Sequence, residues 1–169
     1  GLSLSSLYTD GMVFQRNKPI VFRGKANTGD VVKVVFNGRT LSSVTDGTGE
    51  WRVSFPTENA GGPYQARIST KKLSRTIKDI YIGEVWLCSG QSNMELPVKA
   101  VRSREQDLAS ADSQTHLQLF NMSAIYPTNA VVWSAGACDS VNRHQYLRVG
   151  PWLKCSRESV GDFSAVAYH

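Results

Sequence analysis

Val31-Val32-Lys33-Val34-Val35-Phe36-Asn37-Gly38-Arg39-Thr40-Leu41-Ser42-Ser43-Val44-Thr45 decides how this chain begins to fold. Val31 to Phe36 is rich in β-branched residues, which suit a pleated, half-buried surface. Asn37-Gly38 follows. Both residues tolerate the positive φ of a type I′ turn, so the pair joins two strands as a tight hairpin, with Arg39 to Thr45 returning. Working outward, Pro19 to Gly24 is a short apolar run on one side, and Asp46-Gly47-Thr48-Gly49 makes the next turn on the other. Glu50 to Phe55 alternates with period two: Trp51, Val53 and Phe55 face one way, Glu50, Arg52 and Ser54 the other. Pro56 stops that strand. Gly61-Gly62-Pro63 breaks the chain again, after which Tyr64, Ala66 and Ile68 alternate, and then Leu73, Arg75 and Ile77. Short strands separated by Gly-rich turns predict a β-sandwich, here over residues 1–79.

From residue 80 the pattern changes. Glu84 to Cys88 is a compact apolar run without alternation, which predicts a strand buried on both faces, with Trp86 in the core. Ser89-Gly90-Gln91-Ser92 then turns sharply. Val98 to Ala109 carries Val98, Val101 and Leu108 among charged residues and predicts an amphipathic helix. His116 to Phe120 predicts a further strand, giving a strand–helix–strand unit of a parallel sheet. Residues 121–161 read as irregular, with Trp133 and Trp152 as anchors, and Phe163 to His169 begins another helix. One or two strands cannot complete a parallel sheet, so residues 80–169 are expected to be the first, incomplete part of a layered α/β domain.

Composition narrows the function classes. The 169 residues are 41% hydrophobic with a net charge of +5. The densest basic cluster, Lys71, Lys72, Arg75 and Lys78, lacks the interleaved aromatics of a nucleic-acid surface and reads as a solvated strand face. No apolar run approaches the roughly 20 residues of a membrane-spanning helix. Gly1-Leu2-Ser3-Leu4 has no basic region leading into an apolar stretch and reads as a mature or trimmed end. Neither a nucleic acid nor a membrane is therefore expected as a partner. The three cysteines, Cys88, Cys138 and Cys155, match no zinc spacing. Cys138 and Cys155 could pair in an oxidising compartment, or all three could be ordinary small residues. Asn121-Met122-Ser123 fits the N-glycosylation pattern.

The chemistry concentrates in Gly83-Glu84-Val85-Trp86-Leu87-Cys88-Ser89-Gly90-Gln91-Ser92-Asn93-Met94. A strand-to-helix turn holds a hydroxyl clear of a sheet and aims backbone N–H groups at the space above it. Ester hydrolysis needs both a nucleophilic oxygen and donors for the developing oxyanion. Met94 stands where the second glycine of an α/β-hydrolase Gly-x-Ser-x-Gly elbow would be. Glu84 and Glu95 flank the turn as a glycosidase pair would, but local roles account for them better: Glu84 packs or caps, and Glu95 sits at a helix start, where its charge is favoured. Gln91 and Asn93 are candidates to support the serine loop. None of His116, His144 and His169 is assigned as a general base. His116 opens a strand, His144 lies in the polar Asn142-Arg143-His144-Gln145 segment, and His169 stands at a terminus, where orientation is poor.

Trp86-Leu87-Cys88-Ser89-Gly90-Gln91-Ser92-Asn93-Met94-Glu95 resembles the signature of the sialate O-acetylesterases, a branch of the SGNH hydrolases. Asp10-Gly11-Met12-Val13-Phe14-Gln15-Arg16, Gly61-Gly62-Pro63-Tyr64 and Phe163-Ser164-Ala165-Val166-Ala167-Tyr168 resemble other blocks of that family, in the same order. The resemblance implies a β-sandwich domain followed by an α/β/α, flavodoxin-like SGNH domain, of which residues 80–169 are the N-terminal part. It implies Ser92 as nucleophile, with its own N–H in the oxyanion hole, acting on acetyl esters of sialic acid or a related sugar without metal or cofactor. Further oxyanion donors and an Asp-x-x-His block belong to the family pattern; this sequence has neither. Residues 1–169 alone are thus expected to be inactive, completed by a second polypeptide docked on residues 80–169. The family's setting implies a secreted, periplasmic or lysosomal protein. The rival reading is a sugar- or partner-binding sandwich with a non-catalytic remnant, although the alternation around Trp51 and Tyr64 puts both in the core.

Overall fold

The computed structural model describes residues 1–126, 132–143 and 145–169. The elements in chain order are β1 (Ser3–Leu4), β2 (Val13–Gln15), β3 (Pro19–Lys25), β4 (Val31–Phe36), β5 (Arg39–Val44), β6 (Glu50–Thr57), β7 (Gly61–Ser69) and β8 (Ser74–Gly83). After two single 3₁₀ turns, Ser92–Glu95 and Val98–Ala100, come α1 (Arg104–Ala111), β9 (Gln118–Ala124), α2 (Ala135–Asn142), β10 (Leu147–Lys154), α3 (Arg157–Val160) and α4 (Ala165–Tyr168). The protein is mostly β-sheet with few helices.

The hairpin read from Val31 to Thr45 is present. Phe36 pairs with Arg39 across the turn, and Asn37 and Gly38 take φ of 46° and 73°, the left-handed conformation that type I′ requires. β4 lies inside a five-stranded sheet of order β2-β8-β7-β4-β5, and β3 lies between β1 and β6 in a three-stranded sheet. The alternation in β6 sorts its residues as expected, with Trp51, Val53 and Phe55 buried, and β4 shows the same pattern, with Val32, Val34 and Phe36 buried. These inward rows meet in one core with Ile20 and Phe22 of β3 and Ile77, Ile80 and Ile82 of β8. Phe22 and Phe55 from one sheet and Phe36 from the other form a mutual cluster with ring centroids 5.5, 5.7 and 5.9 Å apart, within the range of favourable edge and tilted contacts. The basic cluster at residues 71–78 is exposed on the β7–β8 hairpin, as a solvated face should be. β8 itself continues through Asp79 to Gly83.

The later residues depart from expectation in three places. First, Glu84 to Cys88 is not a strand and not buried. β2 runs alongside β8 only as far as Gln15 opposite Gly83, so among the described residues nothing continues the ladder beyond that point. Trp86, expected in the core, is 84% exposed. Second, the stretch expected as one helix from Val98 to Ala109 is a 3₁₀ turn followed by α1. Val101 between them is extended, with ψ of 164°, and the helix restarts after Ser103, whose hydroxyl donates to the buried Asp107 carboxylate at 2.6 Å. Val98 and Ala111 still enter a second core with Leu119, Cys155, Val160 and Ala165, against which Val101 and Leu108 pack. Third, among the described residues no parallel strand–helix–strand unit forms. β9 pairs antiparallel with β10, a strand in the stretch read as irregular. Pro151, which has no N–H to give a ladder, falls where the β9–β10 register shifts between Val149 and Trp152.

Trp152 does act as an anchor. Its indole N–H donates to Leu7 O at 3.0 Å, its ring lies 5.0 Å from Phe120, and it packs against the first core. That ties β10 to the loop after β1. The predicted last helix is α4, started by Ser164, whose Oγ accepts from Ala167 N. The three cysteines are free, Cys155 buried and Cys138 exposed, so the open question of a Cys138–Cys155 bridge resolves to separate thiols.

Candidate functional site

The serine turn is built from two directions. From the first core, the end of β2 grips the chain leaving β8. Arg16 N donates to Gly83 O at 2.8 Å, Val85 N donates to Gln15 Oε1 at 2.8 Å, and Gln15 Nε2 and Arg16 Nε both donate to the Glu84 carboxylate. Those donors hold the Glu84 carboxyl below the usual carboxylate range, Gln15 contributing most and Arg16 next. Glu84 is therefore an ionised clamp on β2. A glycosidase acid needs a raised pKa, and Glu84 has the opposite; Glu95 is exposed in the first turn after Ser92. The local reading of both holds.

From the other side, the segment 161–165 supports the turn. Val98 N donates to Phe163 O and Lys99 N to Gly161 O, both at 3.0 Å, and Ala165 N donates to Leu96 O at 2.9 Å. Lys99 pairs with Asp162, and Ser164 Oγ donates to Met94 Sδ at 3.2 Å. Two sequence blocks 70 residues apart, that around Ser92 and that at 163–168, are thereby brought together.

Ser92 itself is the first residue of the 3₁₀ turn, closed by Met94 N on Gln91 O at 2.8 Å. Ser92, Gln91 and Asn93 are all exposed. Among the described residues the Ser92 hydroxyl has no hydrogen-bond partner, and neither Gln91 nor Asn93 makes a side-chain hydrogen bond. A turn of this kind leaves its first N–H groups without internal acceptors.

One pairing escaped sequence reading. His169 Nε2 lies 3.2 Å from Asp107 Oδ2, and Asp107 is buried at 6% exposure. The two residues are 62 positions apart, and no local pattern marks them; an acidic residue on the inner face of α1 is the only hint. Among the described residues no contact joins His169 to Ser92. His116 is exposed before β9, and His144 lies outside the described residues. Asn121 is exposed on β9, its side chain donating to Asp162 O at 3.3 Å. Among the described residues no group of three or more His, Cys, Asp or Glu could hold a metal ion, and no helix is long and apolar enough to cross a membrane. Beside the turn runs a groove of about 970 Å³ with Ile82, Trp86, Leu117, Phe163 and Tyr168 among its walls; Ser92 does not line it.

No protein-family model matches the chain. Curated relatives do. The chain is 29% identical over 91 residues to the mouse sialate O-acetylesterase, covering 52% of this chain and 17% of that protein. It is 26% identical over 136 residues to the human sialate O-acetylesterase, covering 74% and 26%. The crystal structure of a carbohydrate acetylesterase from Xanthomonas citri superposes with a TM-score of 0.79 and 30% identity over 98% of this chain, which spans 35% of that one. The chain therefore resembles sialate O-acetylesterases in sequence and a carbohydrate acetylesterase in fold. It spans 26% or less of the curated relatives' length, a partial coverage that fits an N-terminal portion.

Proposed function

We propose that this chain is the N-terminal part of a carbohydrate O-acetylesterase whose nucleophile is Ser92. Its relation to named esterases supports a hydrolase at the level of the family. The observation that carries the finer reading is the exposed, unpartnered Ser92 hydroxyl at the start of a turn, inside the segment most like the esterase signature. On this reading Ser92 Oγ attacks the acetyl carbonyl of an O-acetylated sialic acid or related sugar. A histidine oriented by an aspartate takes the proton, and the oxyanion is met by N–H donors that include Ser92's own. The sugar hydroxyl leaves with that proton, and water then hydrolyses the acetyl-serine by the reverse sequence. The accessory β-sandwich expected over residues 1–79 extends to the end of β8 at Gly83, and the residues after it are the first part of an α/β/α domain. Two sheets facing across one aromatic core support the former. Gln91 and Asn93 shape the turn through their backbone, and the setting is secreted, periplasmic or lysosomal.

The base and further oxyanion donors lie in polypeptide outside residues 1–169, so these residues alone release acetate from an activated ester no faster than their Ser92→Ala variant. In the complete esterase, Ser92→Ala lowers kcat for acetate release at least about 10³-fold. Acetate release by residues 1–169 that disappears in Ser92→Ala would overturn the incompleteness; an active complete Ser92→Ala enzyme would overturn the nucleophile. The binding-module reading has less support, because Trp51, its best aromatic platform, is 3% exposed.

A further inference from the structure

Arg23 of β3 and Arg52 of β6 stand directly opposite each other in the three-stranded sheet. Both are exposed, on the face away from buried Phe22 and Val53. Like charges in that register repel, and among the described residues no acid relieves them. The ion pairs lie elsewhere, and Glu50, two positions before Arg52, is registered with Lys25. The two arginines and Lys18 line a pocket of about 410 Å³ that has Tyr8, Pro19 and Val21 among its other walls and no acidic residue. Tyr8 fixes one end. Its hydroxyl donates to Val21 O at 2.8 Å. Burial raises the Tyr8 pKa, and the charges of Arg23 and Arg52 oppose that rise, which puts both guanidinium groups toward the Tyr8 end. Gln15 also lines the pocket. Its amide holds Glu84 and Val85 of the chain leading to the serine turn, so the pocket adjoins that chain.

An oxyanion in the pocket would relieve the repulsion. Guanidinium forks match carboxylate, sulfate and phosphate oxygens through paired, charge-assisted hydrogen bonds. A bare ion would leave Tyr8, Pro19 and Val21 uncovered, whereas a charged sugar ring sets its carboxylate on the arginines and its body against those walls. Three cations around one pocket fall short of the basic stripe that a nucleic acid needs. We propose that Lys18, Arg23 and Arg52 form an oxyanion-binding site on the β-sandwich that takes the carboxylate of an acidic saccharide. The choice of a saccharide rests on the esterase reading above; the anion site does not. This site is separate from the Trp51 platform, which is buried.

The test is arginine footprinting with phenylglyoxal on the full-length protein, read residue by residue by peptide mass spectrometry. The probe is the methyl glycoside of N-acetylneuraminic acid. It is expected to slow modification of Arg23 and Arg52 at least tenfold and to leave Arg39 and Arg75, exposed outside the pocket, unchanged. The carboxyl methyl ester of the probe, and sodium sulfate at matched concentration and ionic strength, are expected to protect at least fivefold less. Equal protection by the ester, equal protection by sulfate, or no protection at all would overturn the proposal. Arg52→Gln should abolish protection of Arg23 and, with the repulsion removed, leave the thermal midpoint of the free protein unchanged or raised. Protection of Arg23 that persists in that variant, or a lowered midpoint, counts against the site. Fluorophosphonate labelling of Ser92 is scored separately. Protected arginines with Ser92 unlabelled sink only the esterase reading, and labelled Ser92 with unprotected arginines sinks only this site.

Discussion

At the scale of single residues, Ser92 and its neighbours show what a sequence carries and what it leaves out. The serine block is local, a glycine followed by a serine that the fold leaves exposed, although the strand expected to lead into it is absent. Its surroundings are not local. The supports at Gln15, Arg16 and Ser164 lie 69, 68 and 70 residues from their partners, and no periodicity announces such contacts. The same holds for His169 and Asp107. The thiols give a direct check on residue environment. Cys88 and Cys138 are exposed, whereas burial pushes the Cys155 thiol up, away from the reactive thiolate. Iodoacetamide on the native protein should modify Cys88 and Cys138 and spare Cys155 until denaturant is added, as read by peptide mapping. Gly24 makes a second check. A Cβ there would stand 2.2 Å from Ser3 O and 3.0 Å from the Trp51 ring, so Gly24→Ala should lower the unfolding free energy in urea by about 1–3 kcal/mol.

Elements were legible where one face is buried and the partner is close in sequence. β4 satisfies both conditions, paired with β5 across a two-residue turn; β6 satisfies the first, and its alternation placed Trp51, Val53 and Phe55 inward, as observed. Glu84 to Cys88 met neither condition: a run without alternation says that a strand could be buried, not that a neighbour is present to bury it. β9 was read only as far as Phe120 and β10 not at all, because their pairing spans a bulge and a proline, which blur the period of two. Their attachment to the first core depends on Trp152. Trp152→Ala should therefore cost about 2 kcal/mol, less than for a fully buried tryptophan, and should speed amide exchange in β9 and β10 more than in β4. Equal loss across both strand sets would show that the two cores unfold as one unit.

At the scale of the whole molecule, stability should fall in alkali. Burial is the largest influence on Tyr8, raising its pKa above the ordinary 10.0 against the opposing charge of Arg23. Its hydroxyl donates to Val21 O at 2.8 Å. Tyr168 and Cys155 shift the same way, also chiefly through burial. A raised folded pKa contributes stability that is complete below the unfolded value and lost as pH rises through the folded value. The unfolding free energy should hold steady through neutrality and decline as pH passes the ordinary cysteine and tyrosine values, 9.0 and 10.0. Tyr8→Phe should make that decline shallower. The molecule as a whole also decides what Ser92 can do, because a nucleophile without its base and remaining oxyanion donors is only part of a catalyst. The central claim is tested most directly by mapping the adduct of a fluorophosphonate on the complete esterase by peptide mass spectrometry. The account predicts a single adduct on Ser92, absent after Ser92→Ala and absent on residues 1–169 alone. An adduct on any other residue, or none while acetate is still released from an O-acetylated sugar, would contradict it.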